Sequence, residues 1–488
     1  MSASATAGSD TLGRRDIVAI MSGLVVAQFM GALDQTIVAP AMPTLGRTLG
    51  DVETLPWVVT AYLLVSTAVT PLYGKLADIH GRRPMLLLSI GLFMLGSVAC
   101  ALAPTMLTLS LARGFQGLGG GGLIALTQTI VGDIIPPKQR PKYQAYIQTT
   151  WLAAGLGGPV LGGFLAEHTH WSMIFWINLP LGLVAYLMTN SKLKRLPRHE
   201  RPHELDLVGA VLLVGMSVTT MLALSWGGVR YDWTSPMILG LVAASVVLLG
   251  GVVLRLRTAH EPLIPISVLA NGIVFNGVLS VCFAMSVLIG LIVCLPIYFE
   301  IVLGFSTDHA GVALVPLVLG TTLGAMVTSR MMAHQEHYKT PPMIGLAIAI
   351  VATLLLWLFA RTLPFLVVEV LLAALSMGLG SMLPVTTTAL QNAVPRHEMG
   401  TTMALLNFLR QLGSAFAVAA FGAILIGMSG APRGGAHELL LRASGQNAEG
   451  LSRGFDFLFL ITGVSLALSL LFLARMEERP LRESYSEE

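Results

Sequence analysis

Long apolar runs separated by short polar segments dominate this chain. Fourteen of them are about 20 residues long, enough for a helix to cross a hydrocarbon core of about 30 Å. The runs are too long and alternate too little for barrel strands, and a lipid-exposed backbone must satisfy its own hydrogen bonds. The pattern therefore predicts an all-α integral membrane protein. The predicted spans lie near 17–43, 55–76, 85–103, 106–131, 142–165, 171–190, 206–226, 235–255, 272–300, 308–329, 341–360, 363–391, 400–427 and 455–474.

Composition supports a membrane protein and narrows the chemistry. Hydrophobic residues make up 54% of the chain and charged residues 11%, and the mean hydropathy of +0.76 excludes a water-soluble protein. The polar first segment lacks the apolar core of a signal peptide. All three cysteines lie within predicted spans and form no C-x-x-C pair, so we expect neither a disulfide nor a metal site.

The basic residues predict the orientation. Of the 29 Lys and Arg residues, 21 lie on the face that carries both termini and six on the opposite face. By the positive-inside rule, both termini are expected to be cytoplasmic. Because these charges are spread over many short loops, they do not form a nucleic-acid surface.

An internal repeat divides the chain. A shift of 259 residues places "GLGGGGLIALTQTIVGDIIP" over "GLGSMLPVTTTALQNAVP", although apolar spans can also match by chance. Repeated bundles around a midplane site are typical of secondary transporters. We expect a cytoplasmic tail (1–16), an N-terminal six-helix bundle (17–190), a cytoplasmic linker (191–205), two inserted helices (206–257), a C-terminal six-helix bundle (258–475) with an outer loop (428–454), and a cytoplasmic tail (476–488).

Several motifs resemble a known family in order and position. The stretch "GKLADIHGRRP" is similar to the loop between spans 2 and 3 of the major facilitator superfamily. Four further stretches resemble motifs of the fourteen-span drug:proton antiporter branch. They are "LDQTIVAPAMP", "LARGFQGLGGG", "GLGGPVLGG" and "WSMIFWINLPLG", in spans 1, 4, 5 and 6. Ala39 and Glu300 depart from the family pattern, which leaves substrate and ion preference open.

The resemblance implies a major facilitator fold of two pseudo-symmetric six-helix bundles plus two inserted helices. It implies a monomeric proton-coupled antiporter that exports amphipathic, cationic drugs across a bacterial plasma (inner) membrane by alternating access. Export of lipids, fatty acids or a metabolite is the alternative. Some exporters of this branch use a periplasmic adaptor protein, and the sequence leaves that partner open. No phosphate-binding G-x-x-x-x-G-K-[ST] loop or hydrolase motif occurs, so we expect no ATP, no other cofactor and no enzymatic activity, with the proton gradient as energy source.

Asp34 and Arg113 are the candidate proton-coupling pair. A carboxylate within a span costs roughly 2.5–3.5 kcal/mol on insertion scales, so Asp34 is expected to have a function or a partner. Helical rise allows both residues to reach a common depth. In the functional interpretation, proton or substrate binding weakens their contact; in the alternative, the two form a permanent structural salt bridge.

The stretch that contains Gly74, Asp78, Gly81, Arg82 and Arg83 is the candidate conformational latch. If the halves face each other as in the superfamily, Asp78 lies at the N-terminus of the helix that starts near residue 400. A carboxylate there stabilises the positive end of the helix dipole by about 0.3–1 kcal/mol. The glycines allow the hairpin to lie close.

Two further sets of residues are candidates. Small residues in span 5 allow close helix packing, and its proline permits a bend, as a seam between moving helices requires. This seam comprises Gly155, Gly158, Pro159, Gly162 and Gly163. Polar residues within spans either line a substrate cavity or bond between helices; they are Gln116, Gln128, Gln148, Glu369, Asn407, Arg410 and Gln411. Glu369 either pairs with Arg410 or attracts a cation.

Overall fold

The computed structural model describes residues 14–51, 54–193, 205–332, 337–429 and 448–481. Most of the predicted linker and outer loop lies outside these ranges. The described residues form helices joined by short turns, as the apolar pattern predicts. We call the face where the first helix begins and the last one ends the inner face.

Seven helices build the N-terminal bundle, and two more form a hairpin behind it. The bundle contains α1 (Arg14–Leu49), α2 (Trp57–His80), α3 (Arg82–Ala101), α4 (Met106–Ile134), α5 (Arg140–His168), the single turn α6 (Met173–Trp176) and α7 (Asn178–Lys192). The hairpin consists of α8 (Leu207–Trp226) and α9 (Pro236–Thr258).

The C-terminal bundle follows a short connecting helix, α10 (Ile266–Ala270). Its elements are α11 (Gly272–Ile297), α12 (Thr307–Ala313), α13 (Val315–Met332), α14 (Thr340–Phe359), α15 (Phe365–Gly380), α16 (Met382–Ala393), α17 (Met399–Ser429) and α18 (Ala448–Arg475). A π-helical turn, Tyr298–Val302, extends α11.

Thirteen candidate membrane spans occur within the described ranges. Helix α4 is not among them, although its 29 residues suffice to span a membrane. Its glycines, glutamines and Arg113 make it less apolar than the others, and most of its residues are buried between α2 and α3. With α4 included, the described helices match the fourteen predicted spans.

The element bounds confirm the predicted pseudo-symmetry of the fold. Helix α15 begins 259 residues after α4, and α17 begins 259 residues after α5. A short 3₁₀ turn, Pro137–Gln139, precedes α5, and Arg396–Glu398 precedes α17 at the same offset. The two bundles therefore share their element order.

The bundles meet along two seams. On one side α2 and α4 pack against α17, and on the other α5 packs against α13 and α16. Residues 399–408 of α17 are buried, whereas residues 409–415 are partly exposed. The interface is thus closed toward the inner end of α17 and open from its middle outward. We call the open part the cleft and its closed end the cleft floor.

The inserted hairpin covers the first of these seams. Helix α8 packs against α9 and also against α2 and α17, so that it touches one helix of each bundle. At its outer end, the Trp226 ring lies edge-on against Trp57 of α2, with ring centroids 5.8 Å apart. Asp206 and Arg255 join the other ends of the hairpin by an ion pair of 2.8 Å.

Candidate functional site

Asp34 and Arg113 form an ion pair inside the N-terminal bundle. Nη1 of Arg113 lies 2.7 Å from Oδ2 of Asp34. The Asp34 side chain is 0% exposed and that of Arg113 is 1% exposed. The sequence-predicted pair is therefore brought together, fully shielded from solvent in this conformation.

Amide side chains complete the surroundings of the carboxylate. Oδ1 of Asp34 accepts hydrogen bonds from Nε2 of Gln116 at 2.9 Å and from Nδ2 of Asn178 at 3.0 Å. Both amides also donate to the hydroxyl of Ser97, at 2.8 and 3.1 Å. The site thus draws on α1, α3, α4 and α7, and its polar atoms form one network.

Arg113 is held by more than its ion pair. Its Nε donates to the backbone carbonyl of Val58 at 2.9 Å, and Nη1 also donates to Oε1 of Gln116 at 2.6 Å. The guanidinium lies 4.4 Å from the centre of the Tyr62 ring and 5.7 Å from that of Phe175. Cation–π contacts of this kind become stronger when they are desolvated.

This geometry fits an ionised carboxylate. Every hydrogen-bond partner of Asp34 is a donor, and a protonated carboxyl group would need an acceptor for its own hydrogen. Proton binding would therefore require the network to rearrange. The arrangement couples the charge on Asp34 to the packing of four helices.

Sequence reasoning missed part of this network. Asn178 stands within "WSMIFWINLPLG", and that motif was the available signal, but it did not indicate which partner the amide has. Ser97 and Tyr62 had no distinguishing pattern. Gln116, predicted to line the substrate cavity, is 0% exposed and belongs to the Asp34 network instead.

The predicted latch joins the two bundles at the inner face. Asp78 accepts hydrogen bonds from the backbone N–H of Gly400 at 3.1 Å and of Thr401 at 2.8 Å, at the start of α17. The Thr401 hydroxyl donates a third bond at 2.8 Å. The first N–H groups of a helix lack partners within the helix, so Asp78 both satisfies them and complements the dipole.

Arg82 strengthens this contact. It forms ion pairs with Asp78 and, at 2.8 Å, with Asp133, and it donates to the Arg396 carbonyl of the opposite bundle at 2.9 Å. Gly81 has φ +92°, a conformation that favours glycine. Arg83, predicted as part of the latch, instead donates to Asn190 within its own bundle.

The glycines of the predicted seam pack α5 mainly against α1. A Cβ atom on Gly158 would collide with Thr36, and one on Gly162 with the carbonyl of Ile37. Pro159 lies within α5 and is exposed. Gly155 faces the opposite bundle, where a Cβ would lie 3.8 Å from Val318.

We expect Gly162→Ala to lower the thermal stability of the protein. The added methyl group meets backbone atoms that cannot rotate away, and overpacking of this kind costs about 1–3 kcal/mol. Gly163→Ala is the matched control, because its Cβ meets nothing within 4 Å and alanine is the better helix former by about 1 kcal/mol. Thermal unfolding of the two purified variants should show opposite shifts, and equal shifts would contradict the seam.

Polar side chains cross the seam at the cleft floor. Nδ2 of Asn407 donates to Oε1 of Gln128 at 2.7 Å. Gln391 donates to the Gln128 carbonyl at 2.8 Å, and the Thr67 hydroxyl to Oε1 of Gln411 at 2.9 Å. In this conformation Gln128, Asn407 and Gln411 therefore hold the bundles together above the latch.

The remaining cavity candidates are separate from one another. Arg410 is partly exposed and donates to Oδ1 of Asn407 at 3.1 Å. Glu369 is 7% exposed, and among the described residues neither of its carboxylate oxygens has a hydrogen-bond partner. The suggested Glu369–Arg410 pair does not form in this conformation. Gln148 is partly exposed on α5.

Known proteins are similar to this chain in sequence and in fold. The family model described as Major Facilitator Superfamily matches residues 24–418. Multidrug transporter protein MdtP of Bacillus subtilis is 31% identical over 84% of this chain and 76% of its own length. Efflux pump dotC of Dothistroma septosporum is 33% identical over 83% of this chain and 70% of its own. The crystal structure of a bacterial homologue of the iron transporter ferroportin in an outward-facing state is 14% identical, with a TM-score of 0.66 over 95% of this chain and 100% of that one.

The helical bundles and their repeat define a multi-pass membrane transporter rather than a catalytic enzyme. The chain belongs to the Major Facilitator Superfamily. The family expectation drawn from its motifs is confirmed.

Proposed function

We propose that this protein is a proton-coupled antiporter that exports amphipathic compounds across the cytoplasmic membrane by alternating access. Its termini are cytoplasmic, it works as a monomer, and the proton gradient is its energy source without a cofactor. The bacterial setting and a periplasmic adaptor partner are inferences from resemblance. The same resemblance implies a cationic head group on the cargo.

The observation that carries this proposal is the sealed Asp34–Arg113 pair. A carboxylate with only donor partners must rearrange its surroundings when it takes up a proton. Because those surroundings include four helices of one bundle, proton binding has a route to the packing of that bundle. A permanent structural salt bridge would have the same geometry. Only a transport measurement therefore distinguishes a proton-coupling pair from a structural one.

The contacts between the bundles support alternating access. Asp78 of α2 and Arg82 of α3 join the N-terminal bundle to the start of α17 and the turn before it through polar contacts, which can break and re-form. The cleft opens at the outer end of the same seam. Rocking of two pseudo-symmetric bundles about a central site is the common mechanism of such transporters.

A second candidate cargo is an endogenous lipid, fatty acid or metabolite, on the same fold and with the same coupling. The partly exposed Arg410 at the cleft floor favours this alternative, since a guanidinium binds carboxylates. Both candidates require proton-linked flux.

The test is reconstitution into liposomes with a pH-sensitive dye inside. Transport of a fluorescent amphipath should follow an imposed pH gradient, and addition of the amphipath should move protons in the opposite direction. Flux that does not respond to the gradient, with no proton movement, would refute antiport.

A further inference from the structure

The cleft floor carries a positive charge that the proton-coupling site does not use. Arg410 lies 11 residues from the start of α17, close to its middle along the membrane normal. Asn407 and Ser414 share its helix face by their spacing. Asn407 and the neighbouring Gln411 both bond across the seam to the opposite bundle. Arg410 is therefore placed at the interface, where the closed part of the seam gives way to the cleft.

Few groups around the Arg410 guanidinium compensate its positive charge. Its one hydrogen bond in the described part of the chain goes to the neutral amide of Asn407, and its Nε is buried without a partner. No described carboxylate lies within ion-pair distance of it. Arg remains charged in proteins and offers five N–H donors, so most of its binding capacity is unused.

The two acidic residues predicted to lie deep within spans, Asp34 and Glu369, do not offset this charge. Asp34 is 0% exposed and already paired with Arg113, so that this pair presents no net charge to the cleft. Both oxygens of Glu369 are buried and form no ion pair with Arg410. The cleft floor therefore favours an anion over a cation.

We propose that Arg410 binds the anionic head group of the exported amphipath, a carboxylate in the first instance. A guanidinium fork matches a carboxylate in two parallel hydrogen bonds, and these charge-assisted bonds are the strong ones. The apolar part of the cargo then extends along the cleft. This inference rests on the proposed export function and replaces the cationic head group that the family resemblance implies.

The Asn407 amide links this binding site to the closed seam. Its Oδ1 accepts from Arg410, and its Nδ2 donates to Gln128 on the opposite bundle. In the present conformation Asn407 accepts a hydrogen bond from the Arg410 guanidinium that a cargo carboxylate would otherwise accept. Arrival of cargo at Arg410 competes with that bond and so acts on the contact that holds the seam shut.

The test measures binding by the purified full-length protein. The probes are dansyl-labelled undecanoic acid, its methyl ester and a trimethylammonium analogue of equal chain length, followed by dansyl fluorescence. The wild type should bind the acid at least about tenfold more tightly than the ester, as expected for charge-assisted hydrogen bonds. Arg410→Gln should bind acid and ester alike.

Two further variants keep the test decisive if Arg410→Gln does not fold. Asn407→Asp retains Arg410 but supplies an internal carboxylate, so it should also lose the preference for the acid. Arg47→Gln removes an exposed positive charge at the outer end of α1 and should behave as the wild type. The proposal is overturned if the wild type binds acid and ester equally, if it prefers the ammonium analogue, or if a folded Arg410→Gln keeps the preference.

Failure of this inference is distinguishable from failure of the proposed function. Binding of the acid requires no proton gradient, so Asp34→Asn should keep the acid preference while it loses coupling. Proton-linked flux of the ester or the ammonium compound, with no role for Arg410, would leave antiport intact and remove the anion site.

Discussion

Asp34→Asn is expected to abolish gradient-driven transport while substrate exchange without a gradient continues. Asparagine keeps the size of the side chain and can bond to Gln116 and Asn178, but it cannot take up a proton. Reconstituted vesicles with an imposed pH gradient measure the first activity, and counterflow of labelled substrate measures the second. Undiminished gradient-driven efflux would show that Asp34 has no part in coupling.

The same substitution leaves Arg113 buried without its counter-ion. Breaking a buried ion pair from one side typically costs about 3–5 kcal/mol, although the Val58 carbonyl and the Tyr62 ring still hold the guanidinium. Unfolding must therefore be measured alongside transport. Asp51→Asn is the matched control, since Asp51 is exposed in the first outer turn and its φ of +52° also suits asparagine.

Gly74→Val should prevent the inner face from closing. A Cβ on Gly74 would lie 2.5 Å from Cβ of Ala404 and 2.6 Å from the Gly400 carbonyl in the opposite bundle. Overpacking destabilises the closed state alone, at a cost of about 1–3 kcal/mol in free energy. The ratio of open to closed molecules should therefore rise on the order of tenfold. The latch of Asp78 would open as a consequence.

Distances between spin labels at His80 and His397 would report this shift. Both residues are exposed and lie at the inner ends of the helices that the latch joins. Gly91→Val, where a Cβ meets nothing within 4 Å, controls for valine in a helix of the same bundle. A distance distribution for Gly74→Val equal to that of the wild type would contradict a tight α2–α17 contact.

The fold could be predicted because lipid imposes a simple rule on sequence. A spanning segment must be long, apolar and helical, so the spans and their repeat are visible along the chain. Helix α1 nevertheless continues to Leu49, six residues beyond the predicted span, although Pro40 and Pro43 lie within it. Proline weakens a helix but does not always terminate one.

The candidate site was predicted only where charge made it conspicuous. Asp34 and Arg113 stand out because ions are rare within spans, and burial leaves few partners other than each other. The role of Asn178 depends on how α7 packs against α1 and α3, which no local pattern encodes. The two predicted roles of Gln116 could not be separated for the same reason, since an amide in a span fits a cavity or a buried network equally well.

The inserted hairpin constrains how the molecule can move. Helix α8 touches α2 of one bundle and α17 of the other, so any rocking motion must shear at least one of these contacts. The edge-on contact between the Trp57 and Trp226 rings joins the hairpin to α2. If the bundles rock as proposed, we expect the hairpin to move with the N-terminal bundle and to slide along α17, so that it shields this seam from membrane lipid in both conformations.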